Sequence, residues 1–213
     1  MPEPGRAGPS YDLVAERYAA EIAGELTHKP LDRGLLDAVA ELAGGGPVAD
    51  VGCGPGHVAA YLAGRGARTV GLDLSPGMCT VAVAAGVPAA AADMTALPLR
   101  AGSLAGLVCL YAVIHLDAAA RAVAYREFAR VLQDGGRALI AFHTSDPEHP
   151  TGSQQHVDEW WGRPVDLTFR YLDPDDEVAA LGSAGLALVA RLDRSPHDGL
   201  EHPSHRSYLV VAR

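Results

Sequence analysis

Residues 48–58 read VADVGCGPGHV: an apolar run carrying one acid, Asp50, gives way to glycine at every second position, Gly52, Gly54 and Gly56. Glycine loses more conformational entropy on folding than any other residue, so a cluster of it between a strand and a helix implies that bare backbone is needed there. The usual need is a ligand lying against the turn, close to the unpaired N–H groups that open the following helix. A nicotinamide dinucleotide site would read G-x-G-x-x-G, but His57 stands where the third glycine belongs. The stretch also lacks the G-K-[ST] ending of a phosphate-cradling loop. A tight turn preceded by a carboxylate suits a ligand with a positive charge and no bridging phosphate.

Two further stretches repeat the pattern. In TVGLDLSPGM (69–78) an apolar run ends at Asp73, followed by Ser75 as N-cap and Pro76 at the first helical position. An acid at the carboxyl end of the second strand of an open α/β sheet is placed to accept from two ribose hydroxyls. In AADMTALPL (91–99) another short strand ends in Asp93. Any one of Asp50, Asp73 and Asp93 is equally well read as a helix cap or a solvated strand end. Three in register behind a glycine turn point to a ligand crevice at one sheet edge.

Outward from this core, strands are expected at 48–51, 69–72, 87–91, 107–111, 137–142, 186–192 and 206–212, with helices at 57–65, 76–85, 118–132 and 174–184. Such alternation implies crossover connections and a Rossmann-like, open, seven-stranded, mostly parallel α/β sheet with helices on both faces. Only about a dozen residues separate the last two strands, too few for a helical crossover, so they should form an antiparallel edge hairpin. The chain reads as one domain over 1–213: a loose N-terminus (1–9), an N-terminal helical lid (10–43), a cofactor-binding core (44–142), an acceptor-pocket insertion (143–173), and a C-terminal helix with edge strands (174–213). Within the lid, Ser10 is expected to cap a helix to about Leu26, and Pro30 to open a second. Residues 143–173 show no clear periodicity, which marks a functional or disordered loop.

Composition narrows the function. With 213 residues, 48% apolar, the chain has a full core. A net charge of −9, with Lys29 as the single lysine, argues against nucleic acid as a partner. No apolar stretch is long enough to cross a membrane, and no secretory signal is visible. Cys53, Cys79 and Cys109 are far apart in apolar surroundings and read as reduced thiols, which suggests a cytoplasmic protein. His197, His202 and His205 fit no standard metal-ligand spacing, so no metal is expected. Whether the protein is a monomer or a homodimer stays open.

The residues resemble the class I S-adenosylmethionine-dependent methyltransferases, in particular the small bacterial, small-molecule type. VADVGCGPG is similar to the family's first motif, GLDLS to its ribose motif and AADMTALPL to its adenine-side motif. LVCLYAVIHLD (107–117) is similar to the fourth-strand motif, and REFARVLQDGGRALIAF (126–142) to the helix, turn and fifth strand. The resemblance covers nearly all of residues 10–213. It departs at Ala105-Gly106, where the family often has Phe-Asp, and at Asp134, where proline is common. By resemblance, Gly52, Cys53, Gly54 and Gly56 contact the methionine moiety and ribose of S-adenosylmethionine, with Asp50 beneath holding the turn or the ammonium. Asp73 takes the ribose hydroxyls, Leu74 and Met78 pack on the adenine, and Asp93 with the Met94 backbone meets its amino group. Leu110 and Tyr111 line the methionine end, and Tyr11 and Tyr18 either fold over the cofactor or pack in the core.

Methyl transfer from a sulfonium is an in-line displacement in which the protein mainly aligns the reactants, and a base is needed only when the acceptor must lose a proton. His115, just past the fourth strand, is the first candidate for that base or for positioning the acceptor, and His143 the second. Trp160, Trp161, Phe169 and Tyr171 give the 156–173 segment an aromatic content the rest of the chain lacks, as expected of an acceptor pocket or of a satellite packing cluster. His28 and Lys29 can face the same pocket. The leading expectation is methylation of O, N or C of a small molecule, yielding S-adenosylhomocysteine. A non-methylating protein of the same fold (cyclisation or cofactor sensing) is second, and an NAD-dependent oxidoreductase third.

Overall fold

From Pro47 onwards strand and helix alternate, and each early crossover returns the chain to a parallel neighbour. The computed structural model describes residues 7–197 and 199–213. Strands β1 (Pro47–Val51), β2 (Arg68–Asp73), β3 (Ala89–Ala91), β4 (Leu104–Leu110) and β5 (Leu132–Ser145) pair in parallel, while β8 (Ala187–Arg194) and β9 (His205–Ala212) are antiparallel additions. Their order in the sheet is β3-β2-β1-β4-β5-β9-β8. The seven-stranded, mostly parallel sheet and its edge hairpin are thus as the sequence implies. The order reverses between β1 and β4, the switch point outside which open α/β sheets bind ligands.

Helices cover both faces. β4 is apolar nearly throughout, as a central parallel strand must be. Its successive side chains serve two cores. Leu107 and Cys109 join Tyr125 and Phe128 of α5 (Ala118–Val131) and Leu181 of α6 (Pro174–Ser183). Val108 joins Leu36 and Val39 of α2 (Pro30–Ala43) and Leu62 of α3 (His57–Gly64). Caps set the boundaries. Ser75 accepts from the Met78 N–H at the start of α4 (Pro76–Ala84), Asp117 from Ala120 N–H at α5, and Asp173 from Asp175 N–H at α6.

Three expectations need correction. Helix α1 spans Ala7–Ile22, and a 3-10 turn, Glu25–His28, follows it, so Leu26 lies outside the first helix. Residues 7–9 are helical rather than loose, because Gly8 packs against the Leu74 backbone and Pro9 needs no N–H in a first turn; residues 1–6 lie outside the described residues. Ser10 is therefore no cap: its hydroxyl accepts from the Asp166 N–H at 2.8 Å. That partner belongs to the third difference. Residues 143–173 contain an antiparallel hairpin, β6 (Gln154–Trp160) and β7 (Arg163–Arg170), forming a separate two-stranded sheet. Its two-residue turn is Trp161-Gly162, both at positive φ (53° and 73°), as hairpin turns of this length require.

The glycine turn after β1 is held against β2 with no room to spare. A Cβ added at Gly71 of β2 would stand 2.7 Å from Cys53 Sγ and 3.1 Å from Cys53 Cβ. Gly71→Ala should therefore destabilise the protein by about 1–3 kcal/mol in urea unfolding. Cys53→Ala in the same chain should recover at least half of the loss; no recovery would locate the strain elsewhere.

Candidate active site

The carboxyl ends of β1, β2 and β4 open into a cleft of about 1160 Å³, roofed by α1 and walled by the β6–β7 hairpin. Its floor is the glycine turn. Gly52 and Cys53 N–H both donate to the Leu72 carbonyl (2.7 and 3.1 Å), and Gly56 N–H donates to the Cys53 carbonyl (2.9 Å). The three glycines serve different ends. A Cβ at Gly52 would strike Ala112 Cβ at 2.2 Å, and one at Gly56 would meet Ala82 Cβ at 2.9 Å. Gly56 does not line the cleft: its Cβ position faces Ala82 of α4 and Val87, so glycine there serves packing. Gly54 is the bare surface, with φ +51 and only the Tyr18 ring, 3.9 Å away, opposite it. Cys53 also lines the cleft, and burial pushes its thiol far above the ordinary range, so it is an inert wall.

The three carboxylates reach this floor in different states. Asp73 Oδ2 accepts from Gly54 N–H and Oδ1 from Ser75 N–H, each at 2.8 Å. Burial raises its pKa, and the two N–H groups oppose that rise. Asp93 Oδ1 accepts from the N–H and the hydroxyl of Thr95, both at 2.8 Å, and among the described residues its other oxygen takes no donor. Asp50 is 2% exposed and accepts only from Ala59 N–H, at 3.1 Å, so it holds the first turn of α3. Burial pushes its pKa up to about 7. Leu74, Met78, Met94 and Leu110 line the same cleft.

Beyond β4 the chain turns through Tyr111, whose φ of 58° is costly for a residue with a side chain. Its ring stacks on His143 (4.9 Å between centroids), with Lys29 Nζ 5.5 Å and the Arg206 guanidinium 5.9 Å from its centroid. Tyr208 donates to Asp32 at 2.8 Å, so its oxygen is left to accept from Tyr111. Asp32 in turn pairs with Arg194 (3.0 Å), and Glu201 gathers Arg194, Arg206 (3.1 Å) and Lys29 (3.5 Å). Lys29 also meets Glu25 at 2.6 Å, and Glu25 meets His57 at 3.0 Å. This chain of charges joins the 3-10 turn, α2, α3, β8 and β9. Of its members, sequence reasoning singled out only Lys29 and Tyr111. Asp32 and Arg194 are 162 positions apart, and no local spacing announces such a pair. His143 donates to or accepts from Ser204 Oγ at 2.7 Å. Burial, with Arg206 beside it, lowers its pKa to about 3, so it stays neutral.

The opposite wall is aromatic. Trp160 meets Tyr11 (6.1 Å), Tyr18 (5.8 Å) and Phe169 (6.0 Å) edge to face. Tyr171 lines the cleft and donates to the Asp146 carboxylate; His28 stands exposed at the rim. Trp161 is a correction. At the tip of the hairpin it lies outside the cleft, stacked on Trp160 (4.7 Å) and beneath Arg17 (5.6 Å), because packing with α1 holds it on the outer face. His115 sits in the 3-10 turn Val113–His115, between this wall and the floor. Its Nδ1 is 3.0 Å from the Thr168 carbonyl, and its Nε2 is 3.0 Å from the Tyr11 hydroxyl. A carbonyl only accepts, so Nδ1 carries the proton and Nε2 accepts from Tyr11. Burial lowers the His115 pKa to about 4, leaving a neutral ring whose Nε2 lone pair is unprotonated. Among the described residues no three His, Cys, Asp or Glu side chains stand close enough to hold a metal ion.

Comparison with known proteins agrees with this geometry. A methyltransferase-domain family model matches residues 49–140. The ubiquinone/menaquinone biosynthesis C-methyltransferase UbiE of Syntrophotalea carbinolica is 35% identical over 217 residues, spanning 93% of this chain and 87% of that protein. Among solved structures, the 4+2 cyclase SpnF superposes with a TM-score of 0.71 at 17% identity, over 100% of this chain and 98% of that one. The 1,6-didemethyltoxoflavin N1-methyltransferase of Burkholderia thailandensis, bound to that compound and S-adenosylhomocysteine, superposes at 0.63 and 19% identity, over 93% and 90% of the two chains. The two structural matches speak for the fold alone; the family rests on the UbiE relative, on the domain match, and on the strand-end carboxylates set around a glycine turn. The chain belongs to the class I S-adenosylmethionine-dependent methyltransferases.

Proposed function

We propose that this protein transfers the methyl group of S-adenosylmethionine to a flat, aromatic small molecule, with the glycine-turn side of the cleft taking the donor and the hairpin side the acceptor. The observation that carries the reading is the division of one cleft into a carboxylate-lined floor and an aromatic wall, with the unprotonated Nε2 of His115 on the border between them. The floor fits the donor. Gly54 presents bare backbone, Asp73 and Asp93 each retain lone pairs for hydroxyl or amino donors, and the buried Asp50 lies beneath a group that would carry positive charge. The donor supplies a methyl already activated on a sulfonium. The chain's own residues then have three tasks: to hold the sugar at Asp73, to exclude water with α1 and the hairpin, and to take a proton at His115 Nε2 from an acceptor that must lose one. UbiE is a C-methyltransferase of ubiquinone/menaquinone biosynthesis, which supports a planar, quinone-like acceptor. Incubating the protein with S-adenosylmethionine and 1,4-naphthohydroquinone, catechol or lumazine should yield S-adenosylhomocysteine and a methylated product. Tight donor binding with no turnover of any of the three would instead favour a non-methylating role, such as cyclisation.

The assignments of individual residues are tested separately. Asp73→Ala removes charge-assisted bonds to the ribose and frees the Gly54 N–H; S-adenosylhomocysteine affinity by calorimetry should fall at least about tenfold. An unchanged affinity removes Asp73 from the donor site.

Asp50 gives donor binding a pH dependence. With its pKa near 7 in the free protein, Asp50 is mostly protonated at pH 5.5 and mostly ionised at 7.5. A cationic donor favours the ionised form, so affinity should rise with pH across this window, up to about tenfold, and flatten above it. Asp50→Asn should abolish the slope; a slope that survives would assign it to another group.

Trp160→Ala should lower kcat/KM for the acceptor about tenfold or more while leaving the donor Kd within about twofold, since the ring contacts α1 and the hairpin and not the glycine turn. Equal loss of both would identify Trp160 as a packing residue only.

A further inference from the structure

We propose that Tyr11 is a catalytic residue: the acceptor's proton reaches His115 through the Tyr11 hydroxyl, in a two-residue relay whose direction is fixed by the Thr168 carbonyl of the hairpin. The inference rests on the methyl-transfer reading above.

The argument begins with the lone pair. His115 Nδ1–H donates to Thr168, so Nε2 is the ring's one unprotonated position, and the Tyr11 hydroxyl already occupies it at 3.0 Å. An acceptor can reach that nitrogen directly only by pushing Tyr11 aside. The ring of Tyr11 is pinned against such movement. It packs edge to face on Tyr18 (5.7 Å), on Trp160 (6.1 Å) and on His115 itself (5.4 Å). Its helix is tied down on both sides of the ring. Ser10 accepts from the Asp166 N–H of β7, and Asp12 accepts from Ser75 Oγ (2.5 Å) and Gly77 N–H (2.7 Å) at the start of α4. Tyr11 and His115 both line the cleft, and with Nε2 already taken by the Tyr11 hydroxyl, the relay has an incoming O–H or N–H meet that oxygen first.

A hydroxyl that receives one proton as it gives up another never becomes a free phenolate. This matters because burial, with Tyr18 and Asp73 nearby, makes Tyr11 far harder to ionise than ordinary tyrosine. The balance is simple. The acceptor X–H passes its proton to Tyr11 Oη as Tyr11 passes its own to His115 Nε2. The X–CH₃ bond forms as the S–CH₃ bond breaks, and that bond's electron pair stays on sulfur. The positive charge lost from the sulfonium reappears on the His115 imidazolium. Arg170, which donates to the His115 carbonyl at 2.8 Å, is the cation facing that ring, and it favours prompt release of the proton.

The test uses the full chain with S-adenosylmethionine and 1,4-naphthohydroquinone, catechol or lumazine as probe acceptors. Tyr11→Phe keeps the packed ring and removes only the hydroxyl. It should lower kcat about 100-fold with S-adenosylhomocysteine affinity within about twofold. Replacing Tyr11 with 3-fluorotyrosine and 3,5-difluorotyrosine should change kcat in step with hydroxyl acidity, a response that a packing role would not give. An unchanged kcat in Tyr11→Phe, or rates indifferent to fluorination, overturns the relay. If the wild-type protein turns over none of the three probes, the methyl-transfer reading has failed instead, and nitrogen-15 NMR of histidine-labelled protein tests the Tyr11–His115 hydrogen bond on which the relay is built. A proton on Nδ1, with an Nε2 resonance that moves in Tyr11→Phe, sustains it. A proton on Nε2 overturns it.

Discussion

The carboxylate of Asp73 bonds on one side to the glycine turn and on the other to the start of the next helix. By accepting from Gly54 and Ser75 N–H together, it fixes the end of β2 against the end of β1 with two charge-assisted bonds. Everything above the sheet is hung from this join. Ser75 caps α4 and holds Asp12, Asp12 anchors α1, and α1 brings Tyr11 and Tyr18 over the cleft. The residue that would grip a ribose is therefore also the residue that shapes the floor on which the nucleoside would lie. Losing it affects both.

At the end of β4, across the cleft from the aromatic wall, the protein depends on buried charge. Six ionised side chains (Lys29, Arg194 and Arg206 against Glu25, Asp32 and Glu201) form a nearly dry network with zero net charge. Such groups are costly to bury and add little stability over an apolar core, but removing one partner strands another. Their effect here is geometric. They hold Tyr111 in a left-handed backbone conformation, with its ring between His143 and two cations. The strand end at the cleft is thereby set by Glu25, Lys29, Glu201 and Arg206, which line it, together with Asp32 and Arg194, which lie behind.

How much of this is legible in the sequence varies with the range of the interaction. The parallel sheet, its edge hairpin and the strand-end carboxylates follow from short apolar runs and local turn chemistry, which lie within a few residues of one another. The β6–β7 hairpin is the instructive miss. Val165, Leu167 and Phe169 alternate as a half-buried strand should, and Trp161-Gly162 is a workable two-residue turn. Gln154–Trp160 hides the pairing, because its outward positions are polar and only alternate residues are even half-buried. Gly56 and Trp161 lie off the cleft for a related reason: sequence shows that a residue is in a turn, but which neighbours that turn meets is settled by packing with α4 and α1. The ion network has no local signature at all. Its partners come from five segments, and only folding brings them together.

The hairpin has a consequence for how such a protein diversifies. It is a two-stranded sheet of its own, leaving the main sheet at the end of β5 and rejoining the chain at α6, and it contacts the rest of the fold mainly through the face of α1 and the turn carrying His115. Selection can therefore lengthen, shorten or recolour this flap, and so reshape one wall of the cleft, without reopening the glycine-turn floor. The same chassis can acquire a new clientele by editing about thirty contiguous codons.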